Sequence, residues 1–314
     1  MPKFLPLILA ALAPLSGLKA NPPAAHQLPP SAPAPIPQLM LEKLQDDGIL
    51  DVRIVVGFLD ASDRSISSRS VSWDIWKKLQ DLGFENAPVP NPRDYGIESD
   101  QKLPVEELIV VQAPAWSGEG IIRVAIMTSS KFQTLDEIDQ DPAKAEAQLM
   151  QSIHARQFLK AAIKEADVWN YTGHSREEGG PNTFKPVLTP DGRVDFKYYN
   201  EAKQGVADID ESIRERGGIP SVMSFVSCLS GPHFEKYMYK WARKFGQPFY
   251  FAGTQELIYF SENPAATVAL ISSLRATQPA KVVESSLNDA TRINPATKKP
   301  REDPFFRFKP IPGR

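Results

Sequence analysis

Six apolar runs punctuate this chain with little polar alternation inside them. DVRIVVGFLD (51–60) has only Arg53 as a polar inner position, and EELIVVQAP, GIIRVAIMTSS (120–130), ADVW before Asn170, SVMSFVSC (221–228) and QPFYFAGT (247–254) read the same way. Short runs without period-two alternation suit strands covered on both faces, as in a parallel sheet. Helical spacing fills the intervals. Val71, Ile75, Leu79 and Leu82 recur along SSRSVSWDIWKKLQDLGF, which stops at Gly83. Asp141 and Pro142 are an N-cap and a first-turn proline, and a long breaker-free stretch follows them. Pro232 opens a helix that Gly246 closes, and Asn263-Pro264 and Gln278-Pro279 open two more. Strands alternating with helices predict an α/β protein, a three-layer α/β/α sandwich around a mostly parallel central sheet.

Composition sharpens the picture at the two ends. The 314 residues carry a net charge of −2 and 42% hydrophobic positions, enough for one large core or two modest ones and too little basic character to track nucleic-acid phosphates. The 29 prolines concentrate at the termini. MPKFLPLILAALAPLSGLKA has a basic Lys3, an apolar stretch and small residues ending at Ala20, the pattern of a secretory signal too short to span a bilayer. The expectation is an exported protein, periplasmic or secreted, with residues 1–20 as signal peptide and 21–40 as a proline-rich linker in which His26 is a bystander. One α/β domain then covers 41–291. The segment 292–314, with seven Lys or Arg against two acids and with Phe305, Phe306 and Phe308 interleaved, reads as a packing strap or flexible tail.

Two residues carry candidate chemistry. In NYTGHSREEGGP, His174 stands where the strand begun by ADVW breaks into a loop. Cys228, the only cysteine, ends the strand SVMSFVS 54 residues later. Open α/β sheets place their sites at the carboxyl edge of the strands, so both residues reach the same edge. A thiolate is a nucleophile, a neutral imidazole takes its proton, a helix N-terminus near Pro232 lowers the thiol pKa, and backbone N–H groups at two strand ends hold an oxyanion.

These blocks resemble a family. TGHS and SFVSCLS, about fifty residues apart, are similar to the histidine and cysteine blocks of caspase-fold (clan CD) cysteine peptidases, which include caspases, legumains, gingipains, separase and CHAT-domain proteases. WKKLQDLGFENAPV is similar to the helix and L-x-x-L-G-F step after that fold's first strand, and FYFAGTQELIYF to the segment following the cysteine block in CHAT-type members. The resemblance covers roughly Asp51 to Arg292. It implies a caspase-like fold, Cys228 as nucleophile, His174 as general base, and an oxyanion hole made by the backbone N–H groups of Ser175 and Cys228. Gly173, Glu177, Glu178 and Ser227 are the supporting candidates. The family usually has glycine directly after the histidine, whereas Ser175 and Arg176 follow here. A serine donates the same backbone N–H. The resemblance implies a polypeptide substrate and no cofactor.

Other readings weigh against this one. A catalytically silent binding or scaffold protein keeping the fold would use the loop after His174 for recognition. His174, Cys228, His233 and Glu177 or Glu178 are zinc-compatible ligand types, but no spacing matches a zinc pattern, so no metal is assigned. His154 shares a helix face with Met150, Phe158 and Ala161 and reads as a packed histidine. His233 reads as a local hydrogen-bonding or packing residue, and Ser227 and Ser230 lie outside any G-x-S-x-G elbow.

Overall fold

Burial on both faces is what the unalternated apolar runs require, and the sheet supplies it. The computed structural model describes residues 32–58, 67–88, 91–132, 134–301 and 304–313. The expected signal peptide, His26 and most of the expected linker fall on residues 1–31, outside the described part, as do residues 59–66 after the first strand. In chain order the elements are α1 (Ile36–Asp47), β1 (Ile49–Val56), α2 (Ser68–Asp81), β2 (Glu85–Asn86), β3 (Leu108–Pro114), β4 (Ile121–Thr128), α3 (Leu135–Asp139), α4 (Pro142–Glu165) and β5 (Val168–Gly173). They continue with α5 (Phe196–Ala202), α6 (Gln204–Arg216), β6 (Val222–Ser227), α7 (Ser230–Phe245), β7 (Phe249–Thr254), α8 (Asn263–Arg275), α9 (Ala280–Ala290) and β8 (Phe306–Ile311).

The eight strands form one sheet in the order β2-β3-β4-β1-β5-β6-β7-β8. From β4 through β7 every neighbouring pair is parallel, and the antiparallel pairings lie at the edges, β2–β3–β4 on one side and β7–β8 on the other. Side-chain alternation then splits the interior in two. Val52, Ile54, Val56, Val168, Val222 and Val226 face α1, α2, α8 and α9, contacting Met40, Val71, Ile75, Leu270 and Leu287. Val55, Trp169, Tyr171, Met223 and Phe225 face α4, α6 and α7, against Phe158, Ile209, Ile213, Met238 and Trp241. The protein is therefore a three-layer α/β/α sandwich with a mostly parallel central sheet, as the run pattern predicts. Arg53, the charge inside the first run, is bonded by Asp51 at 2.9 Å and Glu165 at 2.8 Å and lies 5.2 Å from the Tyr95 ring centre.

The helix signals are realised closely. Asp141 accepts a hydrogen bond from Ala143 N–H at 2.9 Å ahead of α4, Pro264 lies in the first turn of α8, and Pro279 is the N-cap residue of α9. No helix of the described residues is long and apolar enough to cross a membrane.

The linker boundary needs correction, and the C-terminal segment takes one of its two expected forms. The linker expected to run to residue 40 ends earlier, because α1 starts at Ile36 and buries Ile36, Met40 and Leu44, one stripe at i, i+4 and i+8. Ala34 O also accepts a hydrogen bond from Tyr250 Oη at 3.2 Å. Of the two forms expected after residue 292, the segment takes the packing strap and not the flexible tail: β8 pairs along all of β7, from Phe249↔Ile311 to Thr254↔Phe306. Phe305, Phe306 and Phe308 are buried, and Phe308 stacks on Tyr250 with ring centres 5.3 Å apart.

Removing that aromatic tests the strand's place in the core. Phe308→Ala should cost about 3–5 kcal/mol of unfolding free energy in urea melts, whereas a value below about 1 kcal/mol would mean that the segment is only loosely attached.

Candidate functional site

The register between β5 and β6 sets the geometry. Pairing runs from Val168↔Val222 through Asn170↔Ser224 and Thr172↔Val226 to Gly173↔Ser227, so His174 and Cys228 are the next residues on two adjacent parallel strands. They also share a side of the sheet. Val168 and Val222, Asn170 and Ser224, Thr172 and Val226 alternate onto the α2/α8 face, and the same parity carries His174 and Cys228 there. Cys228 packs against the core of that face, as does Phe260. The His174 ring meets the Phe260 ring edge to face at 4.6 Å between centres. One step deeper, Asn170 Nδ2 donates to Ser224 Oγ at 2.9 Å, tying the two strands together beneath the pair.

Each residue sits on a short, tightly held turn. After β5, Gly173 has φ 153°, and a Cβ there would lie 2.9 Å from Tyr171 Oη and 3.2 Å from Gly57 Cα, so only glycine fits. Tyr171 Oη uses that space: it donates to His174 O at 2.8 Å and accepts from Asn182 N–H at 3.1 Å. This is the physical role of Gly173 among the supporting candidates. After β6, Cys228 and Leu229 alone connect the strand to α7. Leu229 takes φ 51°, a left-handed conformation that costs a leucine on the order of 1 kcal/mol. Surrounding bonds hold it there. Leu229 N–H donates to Glu256 O at 2.9 Å, Ser230 Oγ donates to Phe225 O at 2.8 Å, and Thr254 N–H donates to Ser230 Oγ at 2.8 Å. The result is an elbow that holds Cys228 at the carboxyl edge of the sheet between β6 and α7, although no glycine-flanked motif marks it.

The thiol's environment differs from the sequence expectation. The helix N-terminus begins at Ser230, closer than Pro232, and favours a thiolate. Burial outweighs it. Half-buried beneath the stretch that follows β7, the Cys228 thiol is pushed above its ordinary range, and its Sγ donates to Ile258 O at 3.3 Å. Desolvation disfavours the charged form, so in this arrangement the thiol stays protonated near neutral pH.

The remaining candidates separate. Ser175 is buried in the turn after His174. Glu178 bonds to Lys203 at 3.0 Å and Lys236 at 2.5 Å, and those two ammonium groups hold its carboxyl below the usual range. Glu177 accepts from Asn200 Nδ2. These bonds run toward the α5–α7 side and not toward the imidazole. Ser227 lies wholly buried, on the opposite parity from Cys228, so its hydroxyl faces the α4/α6/α7 side. Burial lowers the His233 pKa against the pull of Glu177 and Glu178, and burial also lowers that of His154. Phe158 and Ala161 are buried beside His154 as expected, but Met150 is exposed. Among the described residues no three His, Cys, Asp or Glu side chains gather as a metal site would require.

Ile258, Phe260, Glu262 and Arg301 stand at or behind the site without any sequence signal that marks them. Only FYFAGTQELIYF, as the segment following the cysteine block, pointed to their neighbourhood. No family model, curated protein or solved structure matches this chain.

The raised thiol pKa has a signed consequence. Between the midpoints of the unfolded and folded chains the native state holds one more proton, so the stabilisation from Cys228 is full below the unfolded midpoint and falls away as pH rises through the folded one. Alkylation of the native protein should accordingly show a higher pH midpoint than alkylation in urea, with the native rate at pH 7.5 at least about tenfold slower. Coincident profiles would mean that the thiol is not desolvated.

Proposed function

We propose that this protein is a cysteine peptidase in which Cys228 and His174 act as a dyad. One observation supports it above the others: the two residues follow the paired positions Gly173 and Ser227 on adjacent central strands, at the carboxyl edge and on the same sheet face. Nucleophile and base from distant parts of the sequence thus arrive side by side, which covalent catalysis requires. The resemblance to caspase-fold peptidases carried by TGHS and SFVSCLS points the same way.

In this mechanism His174 takes the Sγ proton and the thiolate attacks the scissile carbonyl carbon, its oxygen becoming an oxyanion held by the Ser175 and Cys228 N–H groups. The imidazolium returns the proton to the leaving amine nitrogen as the C–N bond breaks, leaving a thioester on Cys228. Water, deprotonated by His174, then attacks the thioester carbon and releases the acid and the thiol. Each proton is accounted for within the dyad, and no cofactor is needed. The tight elbow at Leu229 and the glycine turn at Gly173 supply the positional precision. A silent binding protein on the same scaffold is favoured by one feature, the hydrogen bond from Cys228 Sγ to Ile258 O, which occupies the thiol.

Peptide-library hydrolysis by purified protein distinguishes the two. Cys228→Ala and His174→Ala should each lower kcat/KM by at least about 10³-fold with Tm shifts of only a few degrees. His154→Ala and His233→Ala should keep most of the activity. Hydrolysis that survives Cys228→Ala and disappears with a chelator would transfer the reaction to a metal, and wild type inert toward every peptide would favour the binding reading.

A further inference from the structure

Residues 255–262, joining β7 to α8, form a wall against both candidate residues. Ile258 O takes the thiol, the Phe260 ring stands against the His174 ring, and Glu256 O takes the elbow N–H of Leu229. The wall's polar anchors come largely from the C-terminal segment. Gln255 N–H donates to Phe305 O at 2.8 Å. Arg301 binds Glu262 through Nη2 at 2.6 Å and Nε at 3.3 Å, and donates from Nη1 to Leu257 O at 3.1 Å. Its Nη1 also lies 3.6 Å from Glu256 Oε2, and its guanidinium sits 4.0 Å from the Phe305 ring centre. The Arg301 and Glu262 side chains are only 3% and 6% exposed. An arginine that joins two carboxylates and a backbone carbonyl of one short stretch fixes that stretch as a unit. Removing it leaves the Glu262 carboxylate buried without its cation, with only the Tyr259 N–H at 2.9 Å, which favours opening of the wall.

We propose that Arg301 is a positioning residue: carried in on the C-terminal segment, it locks the 255–262 wall over Cys228 and His174, and a substrate carbonyl reaches the thiol only when that wall swings away. The proposal rests on the peptidase reading for its purpose, but the lock itself is testable without it. The charged groups acting on the thiol are Arg301 and Glu262 on the wall side, and the neighbouring ionisable side chain is His174, in the turn after β5. Loss of the Arg301 charge alone would raise the thiol pKa further, because that cation lowers it, whereas exposure of the thiol would bring it down, burial being the larger influence. For Arg301→Ala the direction of the shift therefore separates a change of charge from an opening of the wall.

The experiment measures iodoacetamide labelling of the full chain by mass spectrometry, across pH, for wild type, Arg301→Ala, Arg301→Lys and Glu262→Gln, with circular dichroism to establish folding. Arg301→Ala should label at least about tenfold faster at pH 7.5 with a lower pH midpoint, Arg301→Lys should restore much of the wild-type rate, and Glu262→Gln should accelerate as Arg301→Ala does. A folded Arg301→Ala with the wild-type rate, or with a midpoint that only rises, overturns the lock. If Arg301→Ala does not fold, Glu262→Gln decides by its plateau labelling rate well above the midpoint, which opening of the wall raises and loss of the carboxylate charge alone does not; a folded Glu262→Gln with the wild-type plateau overturns the lock. Hydrolysis by wild type together with unchanged labelling would defeat the lock and leave the peptidase reading standing, while faster labelling in a protein without hydrolysis would do the reverse.

Discussion

The pairing of β5 with β6 is the constraint on which the rest of the site depends. Because side chains alternate across a strand, slipping this register by one residue would send His174 or Cys228 to the opposite face of the sheet and separate them by its full thickness. The register is held by parallel hydrogen bonds along six residue pairs and by the Asn170–Ser224 bond across the same two strands. The buried valines on one face and the Trp169, Tyr171 and Phe225 cluster on the other fix it further, since any slip would move polar Asn170 and Thr172 into the aromatic layer.

Much of this fold was legible because central parallel strands and helix starts leave local marks. An apolar run bounded by turns states that both faces are covered, and Asp141-Pro142 or Asn263-Pro264 states where a helix begins. That His174 and Cys228 follow adjacent strands at one sheet edge was legible for the same reason, as each ends such a run. The C-terminal strand was not. FRFKPI alternates, carries two basic residues and includes Pro310, all of which an edge strand tolerates because one face and one hydrogen-bonding side are left open. Those features also describe a solvated tail. Likewise α1 hides its stripe of Ile36, Met40 and Leu44 behind a proline-rich lead.

Electrostatics near the thiol were legible only in part. A strand running into a helix implies a helix N-terminus beside Cys228, and that is present. The opposing desolvation comes from burial of the thiol under the stretch around Ile258 and Phe260, about thirty residues further on, a stretch held by Arg301 and Glu262, 39 residues apart in the chain. No spacing rule links those residues, since only the docking of the C-terminal segment brings them together. A local motif reports the field that a residue's own element makes, and tertiary packing decides whether that field prevails.

The antiparallel docking of β8 on β7 has a consequence for biosynthesis. The chain is made from the N-terminus, so the β1–β4–β5–β6 centre can condense while residues beyond α9 are still to be added. Until they arrive, β7 is an open edge and the anchors of the 255–262 stretch are missing, leaving the elbow at Cys228 more accessible than in the finished molecule. Completion of the last strand therefore sets the moment at which the thiol is sequestered, and a nascent or C-terminally clipped chain would carry a more exposed, oxidisable sulfur than the intact one.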